Sequence, residues 1–283
     1  MTDADRRFAA TGRLLGADSS TRLQRAHAVV VGVGGVGSWA AEALARSGVG
    51  NITLIDLDQI AESNINRQVH ALESTIGAAK VGVMAERLRQ IAPLARIHAV
   101  EEFIEPGNLS ALMPRRPTVV IDAIDAITAK AALIAWCVAG GLPVIACGAA
   151  GGRRDPLQLR SDDLARTSGD SLLASLRSRL RREYGFPAAV GASGHGLARA
   201  PRFKVAAVFS PEPASPGWQG DAAPGNRAGA PLACSGYGSI VTVTASMGMA
   251  AAAIAIEAIM KAADVADVPS DPLGTDAAVV HSA

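Results

Sequence analysis

The feature that most constrains this chain is a glycine-rich turn between a strand and a helix. His27 to Val31 (HAVVV) is a short, apolar, β-branched run of the kind that forms a buried parallel strand. It runs directly into Gly32-Val33-Gly34-Gly35-Val36-Gly37, and residues 35–47 read as a helix stopped by Gly48 and Gly50. Glycines let the backbone turn tightly and approach a phosphate, while the N–H groups at the helix start face the anion. Asp56 closes the next strand, Asn51–Asp56, where a carboxylate can hold ribose hydroxyls. Gly32, Gly34, Gly35, Gly37 and Asp56 are therefore candidate nucleotide-binding residues. On its own the pattern says only "nucleotide": a dehydrogenase using NAD and a tight turn with no ligand both stay open.

Strands and helices alternate beyond the turn. Residues 78–91 form an amphipathic helix ended by Pro93, 95–100 a third strand, 118–122 a fourth, 128–138 a helix and 142–147 a fifth strand. This order predicts an α/β fold, a Rossmann-like doubly wound and mostly parallel sheet, with a C-terminal extension. Residues 1–26 read as an N-terminal arm, 27–152 as the nucleotide-binding region and 153–263 as a substrate or dimer region of the same domain. In that last region a basic helix over 171–184 and a strand over 203–209 stand between loops at 186–202 and 210–231. The residues from 264 read as a disordered tail. The apolar run from Ile240 to Met260 is long enough for a membrane span, but a buried helix against the sheet accounts for it, and no span is expected.

Composition excludes whole classes. With 27 Lys+Arg against 26 Asp+Glu and a net charge of +1, no field of the whole molecule attracts nucleic acid, so any such contact needs a local patch. Three cysteines, Cys137, Cys147 and Cys234, include no CxxC pair, which excludes a four-cysteine zinc site and points to a reducing, cytoplasmic setting.

Three further groups fit NAD poorly. Asp56-Leu57-Asp58 leads into Ser63-Asn64-Ile65-Asn66-Arg67-Gln68, a polar cluster with a guanidinium that a triphosphate would use and a nicotinamide dinucleotide would not. Lys80 falls in the first turn of the next helix, a place for a phosphate-binding point charge. Asp122-Ala123-Ile124-Asp125 closes the fourth strand, where a carboxylate facing a triphosphate is a natural Mg²⁺ ligand. For Arg67 and Lys80 a solvated surface role stays open. For Asp122 and Asp125 a helix N-cap does.

Taken together, GxGGxG, DxD, SNxNRQ, GxxK and DxxD resemble the E1-like superfamily of adenylating enzymes (ThiF/MoeB type). Further stretches resemble its tRNA threonylcarbamoyladenosine dehydratase branch (TcdA/CsdL type). These are Arg7-Phe8 with Arg13-Leu14-Leu15-Gly16, residues 35–46, Asn66 to Leu72, Lys80 to Arg87, Val120 to Asp125, Lys130 to Ile134, Gly148 to Gly152 with Asp155-Pro156, and Cys234 to Ser239. The resemblance covers about residues 6–262. It implies binding of ATP and Mg²⁺ by Gly35, Asp56, Asn64, Arg67, Lys80 and Asp125, with Asp125 on the metal and Arg67 and Lys80 on the charge that develops as pyrophosphate leaves. Asp58, Asn66 and Asp122 complete the candidate nucleotide set. Sulfur-carrier activators of this superfamily use two CxxC pairs, and ubiquitin-type enzymes use a cysteine on a crossover segment. Neither exists here, since residues 153–201 contain no cysteine. An arginine that in relatives reaches across a dimer is replaced by Ala10, and Arg13 or Arg7 is the substitute.

The reaction implied is adenylation of the threonylcarbamoyl carboxylate on adenosine 37 of tRNA, then ring closure within the same base, with AMP and pyrophosphate released. The alternative is activation of the C-terminus of a ubiquitin-like sulfur carrier. A scaffold role in a sulfur-transfer complex, with vestigial nucleotide binding, is a third reading. A homodimer and a partner from a sulfur-transfer system are what the resemblance implies. Arg177, Arg179, Arg181 and Arg182 are the candidate phosphate track for tRNA, against the alternative of a solvated helix face.

Overall fold

The structure is a computed structural model and describes residues 3–16, 18–188, 201–215 and 237–262. Two helices, α1 (Asp3–Leu15) and α2 (Ser19–Arg25), precede the first strand. The strands are β1 (His27–Val31), β2 (Asn51–Ile55), β3 (Arg96–Val100), β4 (Val119–Asp122), β5 (Val144–Cys147), β6 (Arg160–Asp163) and β7 (Ala206–Phe209). They form one sheet in the order β3-β2-β1-β4-β5-β7-β6, parallel throughout except for the antiparallel pairing of β6 with β7. The connecting helices are α3 (Gly37–Arg46), α4 (Lys80–Ile91), α5 (Leu109–Leu112), α6 (Ile127–Ala139), α7 (Ser171–Glu183) and α8 (Val241–Lys261).

Strand residues alternate between two cores, which is why β1 is apolar from Ala28 to Val31. Ala28 and Val30 join Leu44, Met84 and Met247 on the face covered by α3, α4 and α8. Val29 and Val31 join Leu133, Leu173 and Leu176 on the face covered by α5, α6 and α7. Helices on both faces make the sheet doubly wound, as expected. β1 lies between β2 and β4, so the strand order reverses at β1 and a crevice opens outside the carboxyl ends of β1 and β4.

The run from Ile240 forms α8. Its buried residues, including Val243, Met247, Ala251, Ala255 and Ile259, recur every three or four positions and lie against α3 and the sheet. Gly248 brings the two helices together: a Cβ there would overlap the Val36 carbonyl oxygen. Alone it is long and apolar enough to cross a membrane, and 44% of its most apolar stretch is buried inside the domain.

Sequence periodicity did not show β6. Arg160-Ser161-Asp162-Asp163 has no apolar alternation and is mostly exposed. It exists because β7 needs an edge partner, and a charged edge strand resists further pairing. The Asp163 carboxylate fixes its end by accepting the N–H groups of Phe203 and Lys204 at 2.9 and 2.8 Å. Lys204 has φ +60, a left-handed conformation this contact holds in place. The two helices of the arm were likewise unforeseen. The tail from 264, and the loops over 189–200 and 216–231, lie outside the described residues.

Asp122 requires a correction. It was expected at the nucleotide, but its side chain and that of Lys130 are both 0% exposed, with Lys130 Nζ 3.0 Å from Asp122 Oδ2. The ammonium also donates to the carbonyl oxygens of Asp122 (3.2 Å) and Ile124 (3.0 Å). Asp122 therefore lies beneath the crevice, and the pair ties α6 to the turn that carries Asp125. Burial pushes the Asp122 carboxyl up to about 6, with Lys130 opposing. Removing one partner strands a buried charge, so Lys130→Met should cost about 3–5 kcal/mol by denaturant unfolding at neutral pH. A carboxyl raised above its unfolded value favours the fold below that value and loses the contribution as pH rises through the folded one. Without Lys130 the Asp122 carboxyl is pushed up further, so the variant loses more as pH rises and should be less handicapped at acid than at alkaline pH. Wild-type stability for Lys130→Met at pH 8 would contradict this account.

Candidate nucleotide-binding and substrate site

A cleft of about 780 Å³ opens at the carboxyl edge of the sheet, where the fold places the switch point. The glycine turn forms one wall. Gly32 has φ +85 and donates its N–H to the Ile55 carbonyl at 2.9 Å. Gly37 does not line the cleft; a Cβ there would overlap the Gly32 carbonyl oxygen, so its glycine serves close approach of strand and helix. Gly32, Gly34 and Gly35 line the cleft. At Gly35 a Cβ would come within 3.2 Å of Arg67 Cγ and 3.3 Å of Thr244 Cγ2, so the missing side chain makes room for the arginine's stem.

Asp56 stands at the end of β2 beside this turn. Its Oδ2 accepts the Val33 N–H at 2.6 Å and its Oδ1 the Asp58 N–H at 2.9 Å. Burial raises its pKa, with Lys80 and the two N–H groups pulling the other way. Each oxygen keeps acceptor capacity for a sugar hydroxyl. Lys80 opens α4, as anticipated, and its Nζ sits 2.7 Å from Asp58 Oδ2. Lys80 is buried while Asp58 is exposed, so a phosphate reaching Lys80 would compete with a solvated carboxylate.

Arg67 is held from several sides. Its Nη1 donates to the Ser63 carbonyl at 2.6 Å and to Asn66 Oδ1 at 3.0 Å, and its own carbonyl accepts from Trp39 Nε1 at 2.9 Å. Asn64 is buried, and its Oδ1 accepts the Ala61 N–H at 3.1 Å. Asn66 is not on the cleft. It supports Arg67 and donates to the Ser239 carbonyl at 2.8 Å, joining this loop to the segment before α8. His70, behind the loop, is buried with neither ring nitrogen partnered among the described residues. Burial, then Lys80 and Arg87, lowers its pKa to about 4, which keeps the ring neutral.

Asp125 is exposed on the turn between β4 and α6 and lines the cleft. No group of three or more His, Cys, Asp or Glu among the described residues could hold a metal alone. Arg13 is exposed on α1 and is not part of this cleft.

The four arginines of α7 do not form one open row. Arg177 is half-buried and bonded to Thr167. Arg179 donates to Glu183 and to Thr128 Oγ1, both at 2.7 Å, and Thr128 lies on the cleft. Arg181 donates to the Pro187 carbonyl at 3.1 Å and covers the Phe203 ring at 5.2 Å, while Arg182 pairs with Glu183 at 2.8 Å. Of the candidate phosphate track, Arg177 is drawn inward by packing, while Arg179, Arg181 and Arg182 stay nearer the surface, each with a partner within the chain.

Sequence reasoning passed over Phe103 and Tyr237, 55% and 41% exposed on the cleft, and Arg153, almost fully buried on it. Arg153 had a usable signal: it follows a glycine run that leaves a buried strand at the same sheet edge. Cys137 and Cys147 are buried, with pKa values pushed up to about 12 mainly by burial, and neither lines the cleft.

Comparison with known proteins places this geometry in a family. A tRNA threonylcarbamoyladenosine dehydratase of Escherichia coli K12 is 50% identical over 186 residues, 65% of this chain and 69% of that protein. One from Haemophilus influenzae is 42% identical over 91% of this chain and 94% of its own length. A crystal structure of the E. coli dehydratase TcdA in complex with ATP superposes with a TM-score of 0.77 at 42% identity, covering 92% of this chain and 96% of that one. A sequence model described as the ThiF family matches residues 7–272, and with a glycine turn, a strand-end carboxylate and a cationic loop arranged around one cleft, the chain belongs to the ThiF family.

Proposed function

We propose that this protein is an ATP-dependent tRNA threonylcarbamoyladenosine dehydratase, cyclising the modified adenosine at position 37 through an acyl-adenylate. The observation that carries the reading is the placement of Arg67, Lys80 and Asp125 around one cleft beside the glycine turn. That is the equipment for a triphosphate. The likeness to dehydratases over nine-tenths of the chain supplies the substrate.

The chemistry follows from the charges. ATP lies with its ribose at Asp56 and its phosphates along Gly34 and Gly35, within reach of Arg67 and Lys80. A carboxylate oxygen of the threonylcarbamoyl arm attacks the α-phosphorus, and the bond from that phosphorus to the bridging oxygen breaks as pyrophosphate leaves. Arg67 and Lys80 offset the charge gathering on the departing oxygens. A carboxylate is a poor electrophile, and the mixed anhydride with AMP is a good one. A nucleophile of the same arm then attacks the acyl carbon, loses its proton and expels AMP. The two reacting groups are already tethered, so no protein nucleophile is required.

Asp125 fits a magnesium ion held jointly with phosphates, since such ions are commonly bound by one or two carboxylates plus substrate oxygens rather than by a protein cage. When bound, the ion neutralises phosphate charge and orients the triphosphate. Arg13, on the outside of its own protomer, can meet ATP only in a second copy, which is the role a homodimer gives it. Arg179, Arg181 and Arg182 supply phosphate contacts for the tRNA near the cleft rim.

Three measurements test this. Lys80→Ala and Asp125→Ala should each lower turnover about 10²–10³-fold with the fold retained, and pyrophosphate exchange should depend on modified tRNA and not on a carrier protein. Turnover surviving both substitutions would remove them from the site. Neutralising Arg179, Arg181 and Arg182 together should weaken tRNA binding and flatten its salt dependence. Unchanged binding would move the tRNA surface elsewhere.

A further inference from the structure

The nucleotide site leaves one buried charge unused. Arg153 follows the Gly148–Gly152 run at the carboxyl end of β5, one strand beyond the turn that carries Asp125, and lines the cleft while only 4% exposed. Its Nη2 donates to the Gly169 carbonyl at 3.2 Å, and its Nε and Nη1 meet no acceptor among the described residues. The carboxylates around it are committed elsewhere. Glu212 accepts the N–H groups of Arg154 and Asp155 at 3.1–3.2 Å. Asp170 accepts those of Ala149 and Leu173, both at 2.9 Å.

A guanidinium carries five N–H donors in a fixed fork and no acceptor. Lys80, the other buried cation on the cleft, has Asp58 as a partner; Arg153 has no carboxylate among the described residues. Open donors on a buried guanidinium suit an oxyanion brought by a ligand. The surrounding backbone is fixed for it: the Gly152 N–H donates to the Gly238 carbonyl at 2.9 Å, and the Gly152 carbonyl accepts from Ser215 at 2.8 Å.

We infer that Arg153 is the binding group for the carboxylate of the modified base, holding it in the cleft beside the nucleotide. This rests on the dehydratase reading. Arg67 and Lys80 are occupied by the triphosphate, so a carboxylate approaching it needs a cation of its own. The site's burial selects the end of a thin, flexible arm over the ribose-phosphate backbone of a folded RNA. A phosphate of the same tRNA is the competing source of an oxyanion, and the test separates the two.

Binding of ATP, of tRNA carrying threonylcarbamoyladenosine at position 37, and of the same tRNA with unmodified adenosine is measured for the full chain and for Arg153→Gln and Arg153→Lys. Arg153→Gln should lose about tenfold in affinity for the modified tRNA, keep its affinity for ATP and the unmodified tRNA, and be partly rescued in Arg153→Lys. Equal loss on both tRNAs would make Arg153 a phosphate contact and overturn the inference. So would unchanged binding of both, or a loss of ATP affinity shared by both variants. A wild-type protein that fails to distinguish the two tRNAs would overturn the dehydratase reading itself.

Discussion

The structure turns on a single close approach, that of Gly37 to the carbonyl of Gly32. No side chain fits between them. This lets α3 start directly after the turn that leaves β1, beside the crevice that the strand order opens. Gly248 repeats the device one layer out, bringing α8 against α3. Small residues at these two contacts let α3 and α8 pack closely behind the glycine turn, while the charged side chains on the cleft come from neighbouring turns.

Around that turn, the charges are arranged as the proposed triphosphate site needs them. Asp56 is locked by two backbone N–H groups, Lys80 has a solvated partner it can exchange, and Arg67 is anchored by carbonyl and amide oxygens instead of a carboxylate. Phosphates therefore need break no buried ion pair on entering. The buried pair of the region, Asp122 with Lys130, lies one layer deeper and holds the Asp125 turn in place. Arg153 extends the logic to the acid that must meet the nucleotide. With separate cations for phosphate and carboxylate, like charges can be brought together without a cysteine to carry the acyl group.

Much of this was legible in the residues. Strands that are apolar on both faces, such as HAVVV and TVVID, announced a parallel sheet, and the Gly32–Gly37 turn located its switch point. Lys80 could be placed at a helix start because the amphipathic pattern begins there. What stayed hidden depends on tertiary partners. Asp122 and Asp125 are three residues apart, yet Asp122 ends β4 and is buried against Lys130 while Asp125 faces the cleft from the turn, a difference that the sequence spacing does not show. Four arginines in six positions of α7 looked alike, yet Thr167 takes one inward and Glu183 pairs with two. β6 is a strand only because β7 lies beside it.

The central claim, that the cleft activates a carboxylate on RNA with ATP, is tested most directly by the products. tRNA carrying threonylcarbamoyladenosine is incubated with the protein and ATP, and position 37 is followed by mass spectrometry alongside release of AMP. The account predicts a nucleoside lighter by one water, with one AMP formed for each base converted. ATP consumed with no change in that base, or an unchanged base together with tight uptake of a nicotinamide dinucleotide, would contradict it.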